Sequence, residues 1–79
     1  MGNLEKYKQQ FKENFMVEEE DLPNLKYQNI PNWDSVGHMA LMAGLEDTFE
    51  IEMDIDDIID FASFEFGKTI LEKYSITME

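Results

Sequence analysis

Apolar residues recur at helical spacing from the start of the chain. Leu4, Tyr7, Phe11 and Phe15 follow one another at intervals of three, four and four, which places them on one stripe of a helix. Asn3 stands where a cap would accept the first free amides, so the spacing predicts a helix over Asn3–Phe15. From Met16 to Asp34 the periodicity lapses into an acidic run broken by Pro23, Asn24, Asn29, Pro31 and Asn32, and no element is predicted there. Connections longer than about 12 to 15 residues are uncommon in small domains and tend to serve function. The point where this one ends, Trp33-Asp34-Ser35, is therefore a candidate site, with Trp33 read as the packing anchor of the loop.

Three more helices follow. Asp34 or Ser35 caps a second one over Ser35–Phe49. Val36, Met39, Ala40, Leu41, Met42, Ala43 and Leu45 cover more of its circumference than one core-facing stripe needs, so it lies centrally and also shows apolar surface to a partner. Asp54 caps a short third helix to about Phe61, with Ile55, Ile58 and Ile59 facing inward and Asp57 near its positive end. Ser63 caps a last helix to about Tyr74, with Phe64, Ile70, Leu71 and Tyr74 as core candidates and Gly67 a mild weakness. Met39, Met42 and Met53 are read first as core residues, with side chains adaptable enough to suit a cavity that opens. No segment alternates as a strand would and no Asn-Gly or Asp-Gly turn is present. The reading is all-α, with three longer helices and one short.

Size narrows the function. Residues 1–79 suit one domain, close to the lower limit at which a single core suffices, and so small a volume leaves little room for a deep catalytic cleft. The chain has no cysteine, hence no disulfide and no side-chain thiol to compete in thioester exchange. No apolar run approaches the roughly 20 residues of a membrane span, so a soluble cytoplasmic monomer is expected.

Charge sharpens the picture. Residues 33 to 65 hold ten acids and no lysine, whereas residues 1 to 32 hold six acids and four lysines. That concentrated negative field repels nucleic-acid phosphates and steers basic protein surfaces towards it. Nucleic acid is excluded as a partner on this ground, and a basic protein surface is favoured.

Trp33-Asp34-Ser35-Val36-Gly37-His38-Met39, then Leu45-Glu46-Asp47-Thr48-Phe49-Glu50-Ile51, then the acidic and apolar Asp54–Phe61 segment, resemble the acyl carrier protein family in order and spacing, over about residues 3 to 75. The resemblance implies an acyl-carrier-protein-like four-helix bundle forming one carrier domain, and a carrier function, not an enzyme. In such a protein Ser35 would carry a 4'-phosphopantetheine arm, attached covalently from coenzyme A by a phosphopantetheinyl transferase (a holo-acyl-carrier-protein synthase). The arm's thiol would hold acyl intermediates of a fatty acid, polyketide or related pathway. It also implies recognition by basic patches on acyl-loading ligases or transferases and on synthase enzymes, with Asp34, Val36, Glu46, Asp47, Asp54 and Asp57 as candidate contacts. The residues make physical sense of the attachment, because the start of a helix favours an anion. Gly37 places no side chain beside it, and His38 is read as a surface residue close enough in sequence to approach the ester.

The chain departs from the family pattern in three respects. Ala40-Leu41-Met42-Ala43-Gly44 is uncharged through the middle of the second helix, which implies partners other than those of housekeeping fatty-acid carriers. Val36 replaces the more usual leucine. The Gly-Gly that precedes serine in many peptidyl carriers is replaced by Pro31-Asn32-Trp33-Asp34, which weighs against a peptidyl carrier.

Other readings compete. D-alanyl and aminoacyl or peptidyl carriers share the scaffold, and an unmodified acidic interaction module would share both fold and charge. An EF-hand register from Asp54 places Asp56, Asp60 and Glu65 correctly but puts Ile58 at a ligand position and Ile59 where glycine is needed, so no metal site is expected. A hydrolase triad lacks an orienting carboxylate for His38, the only histidine, so no catalytic residue is assigned.

Overall fold

The structure is a computed structural model, and it describes residues 2–79. In chain order these form α1 (Asn3–Phe15), a 3-10 helix (Glu19–Asn24), α2 (Ser35–Phe49), α3 (Ile55–Asp60) and α4 (Phe64–Glu72). The architecture is all-α. Among the described residues the only extended pairing is an isolated antiparallel bridge between Lys26 and Ser63. No described helix is long and apolar enough to cross a membrane.

α1 occupies the span its apolar stripe predicts and buries Tyr7, Phe11 and Phe15. Its start differs from expectation. Gly2 precedes the helix and Asn3 lies inside it as the first residue. The Asn3 amide donates instead to the Thr77 carbonyl at 3.0 Å, and the Leu4 N–H donates to the Glu79 carbonyl at 3.1 Å. The Glu79 carbonyl thus supplies to the Leu4 amide an acceptor that a local cap would have supplied, and the Asn3 side chain ties the same segment down.

The other helix starts are mixed. Asp34 Oδ1 accepts from the Gly37 N–H at 2.8 Å, and Ser63 Oγ accepts from the Phe66 N–H at 3.0 Å, as capping requires. Asp54 makes no side-chain cap. Its backbone carbonyl accepts from the Asp57 and Ile58 amides instead. α4 ends at Glu72, before Tyr74, which is half-buried.

The core is built on rings. Phe11 is fully buried, with ring centroids 4.9 Å from Tyr7, 5.5 Å from Trp33 and 5.0 Å from Phe64. Each such side chain stabilises the fold by about 1.5–3 kcal/mol through burial alone. Leu41, Met42 and Leu45 present α2 to this cluster, and Phe64, Ile70 and Leu71 present α4. Met53 is buried, whereas Met39 is 55% exposed and is no core residue. Gly67 is not a weak point of α4. A Cβ there would overlap the Phe61 ring and the Tyr7 hydroxyl, so the glycine is what leaves room for those two side chains against α4.

α3 meets its expected orientation only at Ile58, which packs against the core. Ile55 and Ile59 are 73% and 71% exposed and Ile58 is half-buried, while Asp57 is buried. A helix of six residues does not hold itself together in water, and two polar attachments pin this one. Asp57 binds Lys73 Nζ and the Tyr74 hydroxyl, both at 2.5 Å, and the Ile58 carbonyl is bonded to His38 Nε2 at 2.8 Å. Polar partners elsewhere in the chain thus hold Asp57 inward and leave Ile55 and Ile59 outside.

Candidate functional site

Trp33 fixes the approach to α2. Its indole is fully buried, stacked on Phe15 with centroids 5.1 Å apart. The preceding loop closes on itself through Gln28 N–H to the Trp33 carbonyl and Trp33 N–H to the Ile30 carbonyl, with Gln28 in the left-handed region at φ 64°. The loop lies so close to α2 that a Cβ on Gly37 would overlap the Asn32 carbonyl oxygen. Gly37 is thus required for packing, a closer constraint than leaving space beside Ser35.

Ser35 is the first residue of α2 and is exposed to solvent. Its Oγ lies 3.3 Å from the Tyr27 hydroxyl, longer than the usual 2.7–2.8 Å or so between hydroxyl oxygens. The serine oxygen is therefore loosely held and reachable. Beside it a cavity of about 360 Å³ opens between the start of α2 and α3, lined by Tyr27, Ser35, His38, Met39, Ile58 and Phe61 together with Ile59 and Ala62. Its walls are mostly apolar, and its size is at the low end of the roughly 300–1,000 Å³ of small-ligand pockets. The exposed Met39 and Ile59 stand on its rim.

His38 is half-buried and belongs to the framework, in place of the surface position expected from the sequence. The Trp33 indole N–H donates to His38 Nδ1 at 2.9 Å, and His38 Nε2 is 2.8 Å from the Ile58 carbonyl. An indole nitrogen can only donate, so Nδ1 is the acceptor and the proton resides on Nε2, which donates to Ile58. Both ring nitrogens are engaged, leaving neither for an ester on Ser35 or for a role as base.

The candidate partner contacts divide. Asp34, Val36, Asp47 and Asp54 are exposed, Val36 at 79%. Glu46 is half-buried, and its carboxylate accepts from the Met53 N–H at 2.8 Å. Asp57 is no surface contact. The hydrogen bond from Lys73, then that from Tyr74, holds its carboxyl below the usual carboxylate range, and Asp57 in turn raises both Lys73 and Tyr74. Glu46 and Asp57 use their charge to close the fold.

The residues at Ser35 fit a phosphate ester. The oxygen is exposed at the start of a 15-residue helix, where backbone dipoles favour negative charge. A neutral donor, Tyr27, is adjacent and an apolar recess adjoins. Two of the features that build the site carry no local signal. Tyr27 is separated from Ser35 by an irregular loop, and His38 reaches Trp33 across a helix start, where helical spacing rules do not apply. Set against protein-family models, curated proteins and solved structures, the chain matches none of them.

Proposed function

We propose that the chain is an acyl-carrier-type protein in which Ser35 carries a 4'-phosphopantetheine arm and the arm's thiol holds an acyl cargo as a thioester. The observation that carries this reading is an exposed serine hydroxyl at the first position of α2, bordering an apolar cavity of about 360 Å³. Attachment transfers the phosphorus bearing pantetheine from coenzyme A to Ser35 Oγ. The serine proton passes to the modifying enzyme, and adenosine bisphosphate leaves. Ser35 needs no base of its own for this, which agrees with a His38 whose nitrogens are both engaged. The bundle would then be the acyl-carrier kind, with α3 as its short helix.

Docking would use the exposed acids Asp34, Asp47 and Asp54 around an apolar strip. Val36 and Met39 share one face of α2, and Ile55 and Ile59 share one face of α3, at helical spacings of three and four. All four are more than half exposed. Basic loading and synthase enzymes are the complementary partners. Incubation with coenzyme A, magnesium and a phosphopantetheinyl transferase should add the mass of one arm, and Ser35→Ala should abolish the gain. A wild-type chain that gains no mass from several such transferases would instead be an unmodified acidic interaction module.

A further inference from the structure

We propose that the Tyr27 hydroxyl is the protein's own hydrogen-bond donor to the phosphate ester formed on Ser35, holding the root of the arm against the start of α2; this rests on the carrier reading of Ser35.

Tyr27 is placed by the fold. Its backbone N–H donates to the Ala62 carbonyl at 2.9 Å, next to the bridge between Lys26 and Ser63 and the bond from Phe64 N–H to the Leu25 carbonyl. Its ring meets His38 edge-on at 5.3 Å and Trp33 at 6.4 Å. Backbone and ring are both held, while the hydroxyl reaches Ser35 Oγ at 3.3 Å. In the free serine either oxygen can donate.

Esterification removes that ambiguity. Ser35 Oγ exchanges its hydrogen for phosphorus and can no longer donate, while the same phosphorus brings unesterified oxygens that are charged acceptors. Tyr27 O–H is then the donor of the pair. Two nearby alternative donors are already committed. The Gly37 amide is held by Asp34 Oδ1, and both His38 nitrogens are bonded within the fold. No lysine occurs from residue 33 to 65. Asp34 adds a negative charge beside the site. The Tyr27 hydroxyl is thus a neutral donor already placed at the esterified oxygen. Because Tyr27 and Ser35 both border the cavity, the bond keeps the root of the arm on the cavity side of α2.

The test compares wild type with Tyr27→Phe, which keeps the ring and removes only the hydroxyl. Both are loaded to completion with coenzyme A, magnesium and excess phosphopantetheinyl transferase, and the added mass is verified before any spectrum is taken. In the loaded wild type the ³¹P resonance of the ester should differ in shift from that of loaded Tyr27→Phe, and relax faster. The phosphorus and arm signals of the variant should approach those of the same loaded chain unfolded in denaturant, where the phosphodiester has no contact with the fold. In wild type alone, loading should also move the Tyr27 ring resonances more than those of Tyr7 or Tyr74. Coincident ³¹P shift and relaxation in the two loaded proteins would overturn the proposal, and so would Tyr27 resonances unmoved by loading. A wild type that gains no mass would overturn the carrier reading itself, a result distinct from either.

Discussion

The Trp33 indole N–H donates to His38 Nδ1 at 2.9 Å, and this single bond determines which nitrogen of the imidazole carries its proton. It ties the last loop residue before the site to α2, and the other nitrogen ties α2 to α3 through the Ile58 carbonyl. His38 is the joint of three segments.

Replacing it should show this. His38→Phe keeps a ring of similar shape but leaves the N–H of a fully buried Trp33 without a partner, together with the Ile58 carbonyl. An orphaned buried polar group costs about 1–3 kcal/mol, so the midpoint of denaturant unfolding should fall by an equivalent amount. A variant as stable as wild type would show that neither bond matters. In ¹⁵N-resolved spectra of the wild type, the His38 N–H facing the Ile58 carbonyl should be found on Nε2, with Nδ1 as the acceptor.

Asp57 predicts a pH dependence with a definite sign. Lys73 first, and Tyr74 second, lower its folded-state value below the ordinary 3.8. Its contribution to stability is therefore fully present above pH 3.8 and is lost as the pH falls through the lowered value. Lys73 and Tyr74 are raised above 10.5 and 10.0 respectively, so their share is present below those values and is lost as the pH rises through the folded ones. The Lys73 side chain is 61% exposed, and solvent screens its part. Asp57→Asn presents an amide in place of a carboxylate to two donors, since Tyr74 already accepts from the Asp54 N–H at 2.9 Å and must donate to residue 57. Thermal midpoints should separate wild type from Asp57→Asn at neutral pH and converge as the pH drops below 3.8. A gap that is unchanged in acid would exclude the carboxylate as its source.

Gly67→Ala tests the packing of α4 against the Phe61 and Tyr7 side chains. In an isolated helix the substitution gains about 1 kcal/mol. Here the new methyl would meet Phe61, with Cε1 at 2.6 Å, and the Tyr7 oxygen, which is itself anchored to the Phe64 carbonyl at 2.7 Å. Overpacking a well-filled core costs about 1–3 kcal/mol. Both neighbours are held, so the cost falls in the upper part of that range and the net effect is a loss of about 1–2 kcal/mol. An alanine variant that unfolds at higher denaturant than wild type would mean that the rings move aside freely.

Much of the fold was legible in the chain itself. The stripe from Leu4 to Phe15 and the caps Asp34 and Ser63 rest on residues a turn or less apart, and those elements stand where the spacing places them. The misread positions share a cause. Ile55 and Ile59 read as inward because apolar residues usually are, but a six-residue helix is oriented by its strongest attachments, and these include the polar bonds of Asp57. The family resemblance implies Glu46 and Asp57 as partner contacts, but the Met53 amide and the Lys73–Tyr74 pair claim their carboxylates. The 3-10 helix at Glu19–Asn24 contains Pro23 and only one buried residue, Leu22, so no period was present to detect.

The amino-acid order by itself determined an all-helical chain, the bounds of its two longest helices, its one-sided acidity and the serine at the head of α2, because each depends on residues adjacent in the chain or one turn apart. Only the tertiary structure decided that Tyr27 stands at that serine, that His38 joins α2 to α3, and that Asp57 turns inward. Each of those depends on a partner brought close by chain closure, and a hydrogen bond between distant residues leaves no periodic trace in the sequence.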